Sequence, residues 1–253
     1  MQLLELFSGT HSIGKVGHQL GYEVTSVDRD LGPDCVLKSG YKSDKHIKTD
    51  IMTWNYREYP PGYFDVITAS PVCLWWSVLR KSWIGRKCKK ICPDGSVVTM
   101  EKLQNDIDKL GKPMVDKVFE IIEYFKPAYW WIENPQTSTM KDYIKSQYPQ
   151  YNTYYDVDYC KYSNWGYKKT TRFWTNIKNF TPKKCKLDCD NIITIGKSKL
   201  HLFRLGISGE NKKRLQHAII INDVRIDRCD NKSRFERYRI PESLIFDLFY
   251  GMD

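Results

Sequence analysis

No run of this 253-residue chain is both long and apolar enough to cross a bilayer. A basic leader is missing too, because Gln2 to Phe7 goes straight into apolar, strand-like sequence. We therefore expect a chain that is neither exported nor membrane-bound. Internal repeats and low-complexity linkers are absent, which leaves one main domain with a full core and a small appendage. Acid is short relative to base, with 30 Asp and Glu against 40 Lys and Arg and a formal net charge of +10. Such a cationic chain, 14% aromatic, suits a nucleic-acid partner, since basic groups displace counterions from phosphate and rings stack on bases. A solvated positive face is the plainer alternative. Eight cysteines in a chain that is not exported point to free thiols or metal ligands rather than disulfides.

The stretch around which the rest is organised is Ser70-Pro71-Val72-Cys73-Leu74-Trp75-Trp76-Ser77. Phe64 to Ala69 leads into it as a buried strand, which breaks at the proline. A thiol just past a strand's C-terminal end sits where open α/β sheets bind ligands. Alone, such a cysteine is most often a small buried hydrophobe. Upstream, the strand Gln2 to Phe7 turns through Ser8-Gly9-Thr10 into a helix over about Ser12 to Leu20. A strand, a glycine turn and a helix N-terminus form a corner that can hold a nucleotide. Tyr22 to Val27 is the next strand and ends at Asp28. An acid there can accept both hydroxyls of a ribose; otherwise it is a solvated turn residue.

Further along, Thr99 to Phe125 has helical periodicity with a break near Gly111-Lys112-Pro113. Ala128 to Ile132 is a buried strand that delivers Glu133-Asn134, and a glutamate so placed can hold a proton when a base arrives. Tyr151 to Cys160 alternates as a strand, a further strand carries Arg172 within KKTTRFWTN, and Glu242 to Tyr250 closes the chain as a helix. Between these elements lie very basic segments. Arg80, Lys81, Arg86, Lys87, Lys89 and Lys90 have no acid among them before Asp94, and Lys161 to Lys186 is equally basic. We read both as phosphate-binding, with Trp75, Trp76 and Trp83 as stacking platforms. Cys88-x-x-x-Cys92 and Cys185-x-x-x-Cys189 are free thiols or, as the alternative, one shared zinc site.

In order, LLELFSGTHSIG, the Cys73 stretch, Glu133-Asn134-Pro135 and the Arg172 segment resemble the motifs of DNA cytosine carbon-5 methyltransferases. In its compactness the chain is similar to members from large DNA viruses or phages. The resemblance implies a Rossmann-like α/β sheet over residues 1–177, a small target recognition region over 178–235, and a C-terminal helix over 236–253 packing back on the first strand. It implies S-adenosylmethionine held by Phe7, Ser8, Gly9, Thr10, Ser12, Asp28, Asp50, Ile51, Ser70 and Pro71. Cys73 would be the nucleophile, Glu133 the proton donor to the base, and Arg172 the group holding its carbonyl. Double-stranded DNA would be bound by Ser77, Asn134, Lys168, Lys169 and the six basic residues of the loop. The chain departs from the family where His11 and Ser12 replace a second glycine, where Val72 replaces a proline, and where no Gly-Asn-Ser motif closes the cofactor site. Expected consequences are reshaped cofactor binding and a His11 at the surface. A monomer inside the cell, in host cytoplasm or nucleus if viral, completes the expectation. An RNA (tRNA) cytosine methyltransferase or a catalytically dead nucleic-acid-binding relative are the alternatives.

Overall fold

The computed structural model describes residues 1–29, 41–195, 197–203, 218–221, 224–227 and 238–252. Residues 196, 204–217, 222–223 and 228–235 of the expected recognition region therefore lie outside the described residues. The frame is a seven-stranded sheet. Its strands, in chain order, are β1 (Gln2–Leu6), β2 (Glu23–Asp28), β3 (Lys45–Lys48), β4 (Val66–Ala69), β5 (Tyr129–Pro135), β6 (Tyr154–Asp158) and β7 (Thr170–Thr175). They lie in the spatial order β3-β2-β1-β4-β5-β7-β6. The first five pair in parallel, while β7 runs antiparallel to both β5 and β6. This is the Rossmann-like α/β sheet that the sequence predicts. Connections leave β1 and β4 in opposite directions along the sheet, so a crevice opens at the C-terminal ends of these neighbours.

Period-two alternation splits the sheet residues between two cores. Leu4, Leu6, Ile67, Trp130, Ile132 and Trp174 face one side, where Val115, Val118, Phe119, Ile122 and Phe125 of a long helix cover them. Leu3, Val24, Val66, Trp131 and Phe173 face the other, against Leu244, Leu248 and Phe249. The first helix, α1 (Ser12–Gln19), and α2 (Met100–Asp106) are short, and α3 (Lys112–Phe125) is the long one. Thr99 caps α2 by accepting from Lys102 N at 3.0 Å. The predicted break before α3 is a wide turn at Ile107–Gly111, with Pro113 admitted in the first turn of α3. Gly111 packs closely there, and a Cβ would lie 3.0 Å from the Trp76 ring.

A helix that the sequence analysis did not single out, α4 (Met140–Gln147), follows β5. The last helix, α5 (Glu242–Tyr250), has the predicted bounds and packs on α1 and the face of β1 that carries Leu3. Gly17 lets α1 lie close on β1, since a Cβ there would meet Leu3 Cδ2 at 2.4 Å. Two hairpins complete the description. In one, β8 (Ile192–Ile195) pairs with β9 (Ser198–His201); in the other, β10 (Ala218–Ile221) pairs with β11 (Val224–Asp227). Among the described residues no helix is long and apolar enough to cross a membrane.

Candidate active site

Strand register brings the predicted residues together. Leu6 is paired with Ala69, and Ala69 with Ile132. Phe7, Ser70 and Glu133 are thus the next residues along three adjacent strands, all at the C-terminal rim. Ser70 N donates to Leu6 O at 3.2 Å, and Asn134 Nδ2 donates to Pro71 O at 2.9 Å, which fixes the loop that carries Cys73. Asn134 is fully buried in that role, so it supports the loop and does not face nucleic acid as expected from sequence.

Cys73 is half-buried. Burial pushes its thiol above the usual range, the negative charge of Glu133 pushes it further, and the ammonium of Lys169 partly offsets both. Glu133 accepts from Tyr159 Oη at 3.2 Å, and Lys169 Nζ stands 3.7 Å from the same Oε1. Tyr159 is held protonated by burial and by the Glu133 charge, so it stays a donor. Lys169 also lies over the Tyr159 ring, 4.7 Å from its centre. The site is therefore a thiol, a buried carboxylate and an ammonium within electrostatic reach of one another. Lys169, predicted as a DNA contact, is part of it.

Arg172 is not. In the antiparallel pairing it lies opposite Asn134 and Asp156, one residue out of step with Glu133, and alternation sends it to the opposite face. There its Nε and NH2 donate to the two oxygens of Asp156 at 2.7 and 2.9 Å, and the guanidinium stacks on Tyr154 at 3.6 Å. The expected grip on the base carbonyl is corrected by this placement.

The turn after β1 is built around Glu5, which the sequence analysis missed. Its buried carboxylate accepts from Ile13 N at 3.2 Å, Gly14 N at 3.1 Å and Ser26 Oγ at 3.0 Å, an acid seated on a helix N-terminus. Gly14 must be glycine here, since a Cβ would lie 2.7 Å from Glu5 Oε2. His11 is completely buried between the rings of Tyr41 and His46, with Nδ1 3.5 Å from Glu5 Oε2, contrary to the expected surface position. Across the rim, Gly9 N donates to Asp28 Oδ2 at 3.0 Å, and Thr49 N donates to Asp28 O at 3.0 Å. Asp50 and Ile51 therefore follow directly on the acid. Thr10 Oγ1 and Ser12 Oγ share a hydrogen bond at 2.8 Å, and Ser12 Oγ accepts from Ile240 N at 3.2 Å. A cavity of about 370 Å³ opens between Thr10–Ser12, Tyr162–Trp165 and Arg239–Ser243. Ser8 Oγ is buried beside this turn without a partner. These residues fit a nucleoside-bearing cofactor in kind, with an acid at the end of β2 and a buried hydroxyl without a partner beside the turn.

The basic loop is folded, not loose. Val98 N donates to Arg86 O and Gly85 N to Val98 O, closing it over a small core of Ile91, Cys92, Val98 and Leu103 against Cys88. Arg80 is buried in an ion pair with Asp106, which Lys102 joins. It is structural, because helix α2 supplies the acid that the loop lacks. Trp76 is likewise core, stacked near Tyr143. Lys81, Arg86, Lys87, Lys89 and Lys90 remain exposed, together with Trp83. Ser77 is half-buried at the loop's start, and Lys168 is tied to Asp158 at 3.3 Å. Cys88 and Cys92 stay inside the loop's own core, so the shared site of the two cysteine sets, given as the alternative to free thiols, does not form. Cys185 and Cys189 gather instead with Cys160 and His201.

No family model matches the chain. It is 34% identical over 254 residues to a protein of Frog virus 3 (isolate Goorha) named "Probable DNA (cytosine-5)-methyltransferase", with 98% of each covered. Among solved structures it is similar to a candidate DNA modification methyltransferase encoded within an E. coli prophage, at 14% identity and a TM-score of 0.48 over 72% of this chain. It is also similar to the S. pombe Dnmt2 methyltransferase, at 14% identity and a TM-score of 0.42 over 73%. The chain spans about half the length of both solved structures, 51% of each.

Proposed function

The chain belongs to the DNA (cytosine-5)-methyltransferase family, and we propose that it methylates carbon-5 of cytosine in double-stranded DNA, using S-adenosylmethionine, with Cys73 as nucleophile. The observation that carries this reading is the relative covered end to end at 34% identity. The meeting of Cys73, Glu133 and Lys169 at the crevice supports it.

Carbon-5 of cytosine is a weak nucleophile, and a covalent bond at carbon-6 turns the ring into an enamine. Cys73 passes its thiol proton to the Glu133 carboxylate and forms that bond as the thiolate, the ring electrons move onto carbon-5, and ring nitrogen 3 takes the proton from the Glu133 carboxyl. Tyr159 orients Glu133 for this by donating to the same oxygen that faces Lys169. Lys169 favours the thiolate over the thiol, offsetting burial. S-adenosylmethionine supplies the electrophilic methyl group, which the Phe7, Asp28, Asp50 and Ile51 side of the crevice would hold. Loss of the carbon-5 proton to water then expels Cys73 as the thiolate, and nitrogen 3 returns its proton to Glu133. The base must leave the duplex first, at a cost of a few kcal/mol. Exposed Lys81, Arg86, Lys87, Lys89 and Lys90 offset this by gripping phosphate. Exposed Leu74 and Val72 flank the thiol as apolar edges for the flipped base.

We extend the reading to a monomer working inside the host cell, in cytoplasm or nucleus, with residues 178–235 recognising the target. The test is a labelled-methyl transfer assay on duplex DNA, single strands and tRNA, followed by base analysis. Label in 5-methylcytosine from duplex DNA is the expected result. Label in tRNA alone would transfer the reading to RNA, and no label in any substrate would sink it.

A further inference from the structure

We propose that Cys160, Cys185, Cys189 and His201 bind one zinc ion that clamps the β8–β9 hairpin to the active-site side of the sheet. Their ligand atoms all lie within 4.8 Å of one another. His201 Nε2 stands 3.5 Å from Cys185 Sγ and 3.5 Å from Cys189 Sγ. With zinc–sulfur bonds of about 2.3 Å and zinc–nitrogen bonds of about 2.0–2.1 Å, the S···N edge of a tetrahedron comes to about 3.5–3.6 Å. The observed separations are those of such an edge. Hydrogen bonding explains the cluster less well, because a neutral ring nitrogen has one lone pair and two thiols converge on the same one. Disulfide bonding leaves an odd thiol among three.

The surroundings hold the ligands in place. Cys160, Cys185 and His201 are buried, and Cys189 is half-buried. Cys185 N donates to Asp158 Oδ2 at 2.8 Å. Asn191 Nδ2 donates to Cys160 O at 3.0 Å and Ser163 O at 2.7 Å, while its Oδ1 accepts from Gly166 N at 2.9 Å. The chain between Cys185 and Cys189 turns through Leu187 at φ 61°, which folds both thiols to one side. Three thiolates and a neutral imidazole leave a zinc site one negative charge in excess. Lys161, paired with Asp188 at 3.3 Å, and Lys168, paired with Asp158 at 3.3 Å and donating to Cys185 O at 3.4 Å, lie beside it.

Four protein ligands close the coordination shell, so the ion is structural and takes no part in methyl transfer. Its position nonetheless links two functions. Cys160 directly follows Tyr159, the donor to Glu133, and His201 ends β9 within the segment expected to recognise DNA. Phe203, two residues on, packs on Gly166 and donates from N to Gly166 O at 2.7 Å.

The test is metal analysis of the full chain purified without chelator. We expect about one zinc per chain, released when three thiols are titrated with an organomercurial. Cobalt substitution should give the intense visible bands of a tetrahedral thiolate site. Cys189→Ser should lose the metal and lower the Tm, whereas Cys88→Ser should keep it. Should Cys189→Ser fail to fold, zinc content and thiol protection of the unsubstituted chain still decide. Substoichiometric metal after growth in zinc, with these thiols equally reactive before and after chelation, would overturn the proposal. So would retention of the metal by Cys189→Ser together with its loss from Cys88→Ser.

Discussion

Glu133 and Asn134 are neighbours on β5, yet the two faces of the sheet that they serve are built for different ends. On the Glu133 side stand Cys73, Lys169 and Tyr159, with opposed charges held apart from full neutralisation: Lys169 Nζ is 3.7 Å from the carboxylate. On the Asn134 side, Arg172 is locked into a bidentate pair with Asp156 and stacked on Tyr154, and Asn134 spends its amide on Pro71 O. One face keeps its charged groups available at the crevice, and the other uses them up in bonds. A basic residue in an active-site strand is therefore reactive machinery or scaffold according to its parity in the strand. Being close in sequence decides nothing.

Removing the nucleophile should give the largest effect. Cys73→Ala abolishes methyl transfer while duplex and cofactor binding persist, as filter binding and calorimetry would show; turnover in that variant would break the contrast between faces. Glu133→Gln keeps the shape but not the proton, and should lower kcat by about 10²–10⁴-fold. Next comes the paired test of the faces. The Cys73 thiol is raised, so below its pKa the thiolate fraction and the rate climb with pH. Lys169→Met removes the charge that opposes this rise. Its pH profile should move to higher pH, with a rate at neutral pH lower by about tenfold for each unit gained. Arg172→Met should leave the profile in place and instead lower stability by about 1–3 kcal/mol, because Asp156 loses its bidentate partner and keeps only Lys184 at 3.9 Å. A displaced pH profile for Arg172→Met and an unmoved one for Lys169→Met would invert the account. The smallest effect is on salt dependence. Neutralising Lys87, Lys89 and Lys90 should flatten the log–log slope of duplex binding by about 2.7 units. Arg80→Gln should instead unfold part of the loop, since it breaks the pair with Asp106.

The strands, the crevice and the Cys73–Glu133 meeting were legible because each rests on local pattern: apolar runs, a proline break and the ends of strands. What failed rests on pairings that no local pattern carries. Within KKTTRFWTN, Lys169 and Arg172 are equally good cations; the register against β5 turns Arg172 away from Glu133, and Lys169, just before β7, is the one that meets it. Arg80 looked unpaired because its own loop has no acid, but Asp106 arrives from a helix 26 residues on. His11 and Glu5 looked like turn and strand residues, and become buried partners only once α1 folds back over β1. The two equal cysteine spacings read as free thiols or, as the alternative, as halves of one site. Cys88 and Cys92 instead serve a small apolar core, and the partners of Cys185 and Cys189 lie 25 residues upstream and 12 downstream.

Covalent chemistry at the crevice is expected to run through Cys73. A duplex carrying 5-fluorocytosine tests it directly, because fluorine cannot leave carbon-5 as a proton does, and the enzyme stays bonded to the base after methyl transfer. With S-adenosylmethionine present, a denaturation-resistant complex should accumulate, and peptide mass spectrometry should place the bond on Cys73. A complex that forms on another cysteine, or that still forms in Cys73→Ala, would contradict the account.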